Sequence, residues 1–196
     1  AASGSGKTTI GLYNLVKIAC PEIWDYEQNK FIKNPCFMNC GVLYLQYELN
    51  PQYEITPKII ASISGVPTST ILNGKYSNDE ESRVDHAIEI LNTSQFYIVT
   101  MPSFTVGLLE TYCKDYVYNH NVQYICFDYL SSTAAASSDI AKNNGVTTRS
   151  DEVLSAISSK LKDIAVELNV AMLSFTQVNA QAYSQEVLDS SVIAGS

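Results

Sequence analysis

The chain opens with Ala1-Ala2-Ser3-Gly4-Ser5-Gly6-Lys7-Thr8, which places small residues, a lysine and a hydroxyl at the spacing of a phosphate-binding loop. The pattern is Gly-x-x-x-x-Gly-Lys-Ser/Thr, and Ala1 takes the position of the first glycine. Small residues let successive backbone N–H groups turn inward around phosphate oxygens. A helix starting directly after the loop adds the positive end of its dipole. In such a loop Lys7 supplies a point charge to the β- and γ-phosphates of ATP, and the Thr8 hydroxyl ligates the Mg2+ that bridges them. The expected nucleotide-binding residues are therefore Ser3, Gly4, Ser5, Gly6, Lys7, Thr8 and Thr9.

Three further polar residues follow hydrophobic runs. Asp128 closes Tyr124-Ile125-Cys126-Phe127, an apolar strand ending in the carboxylate that, beside such a loop, holds magnesium together with Thr8. Glu48 follows Val42-Leu43-Tyr44-Leu45-Gln46-Tyr47 and is expected to orient and deprotonate the attacking water. Gln177 follows Leu173-Ser174-Phe175-Thr176, where a neutral amide senses the γ-phosphate and passes the difference to a loop that grips a ligand. The catalytic set on this reading is Lys7, Glu48 and Gln177, and the metal set is Thr8 and Asp128.

These residues reach one place only if the elements carrying them do. Apolar spacing predicts a helix from Lys7 to about Cys20, ended by Pro21, and a small hairpin around Gln28-Asn29-Lys30. Gly41–Tyr47 reads as a strand buried on both faces. Gln52–Ile63 reads as a helix, and Ser77 with Glu80 forms a capping box ahead of a stripe at Val84, Ala87, Ile88 and Leu91. Strands are expected at Phe96–Thr100, Val122–Phe127 and Val170–Phe175, and helices at Val106 to about Tyr118 and Asp151–Leu168. Ser131–Ser138 is a Ser/Ala-rich stretch with no element assigned. Alternation of buried strands and helices predicts a mostly parallel sheet covered on both faces. Right-handed crossovers bring the strand C-termini, and with them Glu48, Asp128 and Gln177, to one edge.

The bulk composition suits one α/β domain: 196 residues, 46% hydrophobic and 16% charged. Twelve basic against twenty acidic residues give a net charge of −8, so there is no general attraction to nucleic acid. A DNA contact would need a local basic patch or a surface assembled from several subunits. Five cysteines without a CxxC pair argue against a disulfide framework and fit a reducing cytoplasm. No apolar run approaches the ~20 residues needed to span a membrane.

Taken in order, these motifs resemble the C-terminal ATPase domain of DnaB-type replicative helicases, a RecA-like P-loop NTPase. The resemblance runs through Ser-Gly-Ser-Gly-Lys-Thr at the loop, Val42–Leu49, Ile59–Val66, Gly74-Lys75-Tyr76-Ser77 and Asp79-Glu80. It continues at Phe127-Asp128-Tyr129-Leu130, Ser159–Ala165, Glu167–Val170 and Phe175-Thr176-Gln177-Val178-Asn179. It implies a ring, expected to be a hexamer, that hydrolyses ATP with Mg2+ and moves along single-stranded DNA in replication, with primase or a loader as further partners. It also implies a DNA-facing loop between Lys142 and Arg149, which makes those two residues candidate phosphate contacts.

The sequence departs from the family in three places. Glu22–Cys40 is longer than the usual connection and carries unexplained aromatics. Ala180 follows Asn179 where the motif has arginine, and the chain stops at Ser196, ahead of the family's arginine finger. The sequence is thus expected to be one RecA-like domain over 1–196, truncated at both ends, lacking the strand before the loop and the last strands. By itself it is expected to hydrolyse ATP poorly. Two other readings stay open: a plasmid, phage or recombination ATPase of the same fold, and an ATP-binding switch or loader that is not a motor.

Overall fold

The structure, a computed structural model, describes residues 6–144 and 149–176. Gly6 has φ 83° and leads into helix α1, Lys7–Ala19. This left-handed backbone suits glycine, the residue without a Cβ penalty there. Leu12, Leu15, Val16 and Ala19 bury one face of α1, while Ile10 faces solvent. Strands β1 (Glu22–Asp25) and β2 (Lys30–Lys33) pair antiparallel as the expected hairpin, with Asn29 left-handed in its turn.

Strand β3, Gly41–Gln46, is buried along its whole length. A π-helical turn, Pro51–Ile55, leads into α2, Thr56–Ser64, followed by α3, Thr68–Asn73, and α4, Asn78–Thr93. Then come β4 (Phe96–Thr100), α5 (Val106–His120), β5 (Val122–Leu130), α6 (Ala134–Asn144), α7 (Ser150–Leu168) and β6 (Ala171–Thr176). Strands β3 to β6 form one all-parallel sheet in the order β4-β3-β5-β6.

The unbroken apolar run of β3 serves two cores. Val42 and Tyr44 meet α1, α2 and α4 on one face, and Leu43 and Leu45 meet α5, α6 and α7 on the other. This is the α/β class expected from the sequence, with helices on both faces of a parallel sheet. The α7 stripe of Val153, Ile157, Leu161, Ile164 and Leu168 is buried as its period requires.

Local expectations change in four places. Residues 51–64 are not one regular helix. Pro57 has no N–H to offer the turn before it, and the Thr56 N–H bonds to Pro51 O in the wider π pattern. In α4 the buried residues are Val84, Ala87 and Ile90, whereas Ile88 is 38% exposed. Successive helical residues step round by about 100°, so Ile88 turns off the face that Ala87 centres. The Ser/Ala-rich stretch holds the start of α6. Alanines favour helix, Thr133 Oγ1 accepts from Ala136 N at 3.2 Å, and Ala136 and Ile140 are buried. Finally, β5 runs on past Phe127 to Leu130, so Asp128 lies within the strand rather than after it.

The aromatic stretch before β3 also finds its place. Ile23, Phe31 and Ile32 extend the core beneath α2 and α4, and Arg83 stacks over Trp24 with its guanidinium 4.3 Å from the ring centre. Gly65, at φ 69°, ends α2 against the Trp24 ring, where a Cβ would collide. The buried Asn34 amide donates to Lys17 O at 2.8 Å and Cys20 O at 2.7 Å, satisfying carbonyls at the end of α1. The hairpin therefore covers a core edge and ties it to the helix that begins at Lys7.

Candidate functional site

Thr8, on the first turn of α1, donates its hydroxyl to Asp128 Oδ2 at 2.6 Å across 120 residues of sequence. The same oxygen accepts the Tyr44 hydroxyl from β3. Asp128 is only 6% exposed, and among the described residues its other oxygen, Oδ1, is buried without a hydrogen-bond partner. An ionised carboxylate oxygen left bare and buried is costly, and a cation is the partner that its chemistry suits. Thr8 and Asp128 thus fit a magnesium ion: a hydroxyl and a carboxylate, both hard oxygen donors, already joined.

Burial pushes the Tyr44 phenol well above its ordinary value, and the charge of Asp128 pushes it further the same way. It remains a donor throughout the working range of pH. The neighbouring Cys126 thiol is likewise pushed up, first by burial and then by Asp128, which keeps it protonated.

Glu48 lies on the same edge of the sheet. In the register of β3 with β5, Gln46 stands opposite Asp128, and in that of β3 with β4 it stands opposite Thr100. The chain turns directly after Gln46, and the Gln46 side chain builds the turn. Its Oε1 accepts from the Glu48 N–H at 2.8 Å and the Leu49 N–H at 2.7 Å. Its Nε2 donates to Leu49 O at 2.8 Å and Thr100 Oγ1 at 2.6 Å. Glu48 itself is exposed, and its Oε1 accepts the Tyr129 hydroxyl at 3.0 Å. The Lys7 ammonium lies 5.5 Å from the centre of the Tyr129 ring. Two groups therefore stand side by side: Thr8 and the buried Tyr44 both donate to Asp128, while the half-buried Tyr129 donates to Glu48 and carries its ring near Lys7.

Thr9 is exposed on the first turn of α1. Ser3, Gly4, Ser5 and Gln177 lie outside the described residues, so the loop is represented here by Gly6, Lys7 and Thr8. Lys142 belongs to α6 and is exposed; Arg149 precedes α7, is 78% exposed and pairs with Asp151 at 3.1 Å. Neither stands in the hydrogen-bonded cluster around Asp128.

Sequence reasoning passed over Tyr44, Gln46 and Tyr129. A signal for the first two existed: a phenol and an amide inside an otherwise apolar, buried strand must find partners. Their positions differ by two, so they share a face of β3, the face turned toward α1 and Asp128.

A family model described as the DnaB-like helicase C terminal domain matches residues 1–189. The chain belongs to this family. Among relatives of this DnaB-like domain is the SPbeta prophage-derived uncharacterized protein YorI of Bacillus subtilis (strain 168). It is 28% identical over 198 residues, covering 99% of this chain and 39% of that protein. The replicative DNA helicase DnaB of Rickettsia bellii (strain RML369-C) is 24% identical over 89% of this chain and 32% of its own length. A probable plasmid replicative DNA helicase of Chlamydia trachomatis is 27% identical over 64% of this chain and 26% of its own length. The DnaB-like chain thus spans well under half the length of the curated relatives it matches.

Two of the solved structures that share the fold match most of this chain. One is of a DnaB-like replicative helicase and its interactions with primase, with TM-score 0.61, 17% identity, 76% of this chain covered and 34% of that one. The other is described as an ATPase domain, with TM-score 0.61, 17% identity, 78% of this chain covered and 53% of that one. Among the described residues of the DnaB-like chain, no helix is long and apolar enough to cross a membrane.

Proposed function

We propose that this chain is the ATP-hydrolysing motor unit of a replicative DNA helicase, working in a ring on single-stranded DNA. The observation that carries the proposal is the Thr8–Asp128 hydrogen bond, with Asp128 Oδ1 buried and unpartnered beside it. A helix-start hydroxyl bonded to a strand carboxylate, one strand away from an exposed glutamate, is the arrangement a Mg2+–nucleotide needs. The family supports the helicase reading, as do relatives described as replicative DNA helicases.

In this reading Ser3, Gly4, Ser5, Gly6 and Thr9 cradle the phosphates, and Lys7 places its charge on the β- and γ-phosphates. Thr8 and Asp128 would hold Mg2+, which when bound neutralises phosphate charge and favours displacement at the γ-phosphorus. Glu48 accepts a proton from the attacking water, and its exposed turn leaves space for that water. Gln177 reports the presence of the γ-phosphate to the DNA-gripping surface. Lys142 and Arg149 contact the DNA backbone, each weakly, because Arg149 must exchange Asp151 for a phosphate. A neighbouring subunit supplies the arginine that completes the site.

The test is ATP hydrolysis by the intact protein with and without single-stranded DNA, beside Lys7→Ala. Turnover stimulated by the strand and lost in Lys7→Ala supports the motor. Tight ATP binding with no response to DNA points instead to a nucleotide switch. Undiminished nucleotide binding in Lys7→Ala would remove Lys7, and with it the site, from the proposal.

A further inference from the structure

Tyr44 stands out as a hydroxyl in a strand that otherwise needs none. Its side chain is 0% exposed, and its neighbours along β3, Leu43 and Leu45, are as fully buried. A phenylalanine would fill the same volume without bringing a polar atom into the core. A buried phenol with no partner is costly, and this one spends its proton on Asp128 Oδ2.

The geometry follows from the sheet. Tyr44 pairs in register with Cys126, and Gln46 with Asp128, so Tyr44 is the diagonal cross-strand neighbour of Asp128 on the face toward α1. Diagonal neighbours lie within reach of an aromatic side chain. Thr8 reaches the same oxygen from α1. Two donors from two elements thus converge on Oδ2, while Oδ1 accepts from no described residue. A carboxylate held by a single donor can swing about its last torsion and exchange its two oxygens. Held by two donors on one oxygen, it keeps the other aimed one way.

We propose that Tyr44 is a positioning residue for the cation: its hydroxyl locks Asp128 so that Oδ1 is presented bare to Mg2+. The proposal rests on Asp128 being the carboxylate of the metal site, as read above. In this arrangement Tyr44 never touches the ion or the nucleotide. It acts by sparing the site the reorganisation that a freely rotating carboxylate would need at each loading, which is how supporting hydrogen bonds raise metal affinity in general.

The experiment titrates Mn2+ into the intact protein with a non-hydrolysable ATP analogue and reads free Mn2+ by electron paramagnetic resonance. Wild type, Tyr44→Phe and Asp128→Asn are compared. Tyr44→Phe keeps the ring and its packing and removes only the hydroxyl, so its thermal midpoint without metal serves as the folding check. We expect Tyr44→Phe to weaken Mn2+ binding by roughly ten- to a hundred-fold, the range for losing a supporting partner of a metal-holding carboxylate. Binding of the analogue in EDTA is expected to be unchanged.

Equal Mn2+ affinity in Tyr44→Phe and wild type, with Asp128→Asn clearly weaker, would overturn the role of Tyr44 and leave the metal site standing. A lowered thermal midpoint with unaltered Mn2+ affinity would also overturn it, making the phenol a packing feature. If Asp128→Asn binds Mn2+ as wild type does, the reading of the site itself fails and takes the proposal with it.

Discussion

Asp128, in β5, and Glu48, on the turn after the neighbouring strand β3, stand at the same edge of one sheet, yet they are held in opposite ways. Asp128 is buried inside β5, and two hydroxyls from α1 and β3 bind one of its oxygens. Glu48 is exposed on a turn, and among the described residues the one bond to its carboxylate comes from the half-buried phenol of Tyr129. What is fixed at Glu48 is the backbone, through the amide of Gln46, and not the charge. A metal-holding carboxylate gains from immobility, because a hard cation rewards preset geometry. A carboxylate that accepts a proton from water must meet solvent and move with the reaction. The two anchoring schemes suit the two roles proposed for these residues.

The largest expected effect tests that division of labour directly. Glu48→Gln removes the proposed base and leaves shape and backbone bonds in place. Turnover by the intact protein should fall by about 10²–10⁴-fold, the range for a lost general base. Affinity for ATP with Mg2+ should change by less than a factor of about three, because in the proposed site Glu48 does not hold the ion. Equal losses of binding and turnover would mean that both carboxylates serve the metal, and the contrast would dissolve.

Gln46→Ala attacks the other half of the comparison, the rigidity beneath Glu48. Four groups lose their partner: the N–H groups of Glu48 and Leu49, the Leu49 carbonyl and the Thr100 hydroxyl. Water can reach the turn on its outer side, so the expected loss of stability by urea denaturation is about 1–3 kcal/mol rather than the sum over all four. Turnover should fall about tenfold through misplacement of Glu48, with nucleotide affinity kept. Unaltered stability would show that the turn holds itself and that the amide is incidental.

The same contrast explains what was legible in the sequence. Periodicity gave the buried faces of α7 and both faces of β3, because burial follows from residue type and period alone. The order of strands and helices brought Asp128 and Glu48 to one edge with Lys7 and Thr8, because parallel crossovers leave little choice. Partners of polar groups are another matter. Tyr44 and Gln46 read as members of an apolar run, and nothing in that run says which carboxylate or turn lies across the strand. The π turn at Pro51–Ile55 and the start of α6 were missed for a related reason: a proline within an otherwise helical pattern and a row of alanines and serines are locally ambiguous until packing decides. The aromatics of the hairpin had no visible role until Phe31 was seen packed under α2 and α4, and Trp24 against Arg83 of α4 and Gly65 at the end of α2.

The smallest expected effect comes from Tyr129→Phe, and it sharpens the comparison most finely. The ring that lies near the Lys7 ammonium is kept, and the hydrogen bond to Glu48 Oε1 is lost. Because Glu48 is exposed, water replaces the phenol at little cost, and a solvent-facing bond of this kind contributes less than about 1 kcal/mol. Turnover should therefore fall by no more than about fivefold, with Mg2+ affinity and stability as in wild type, measured side by side with Tyr44→Phe. The two variants each remove one phenolic hydroxyl from one carboxylate, so they differ in little but the burial of the acceptor. If Tyr129→Phe proved as damaging as Glu48→Gln, the exposed carboxylate would be as tightly committed as the buried one. The site would then run on two fixed charges instead of one fixed and one mobile.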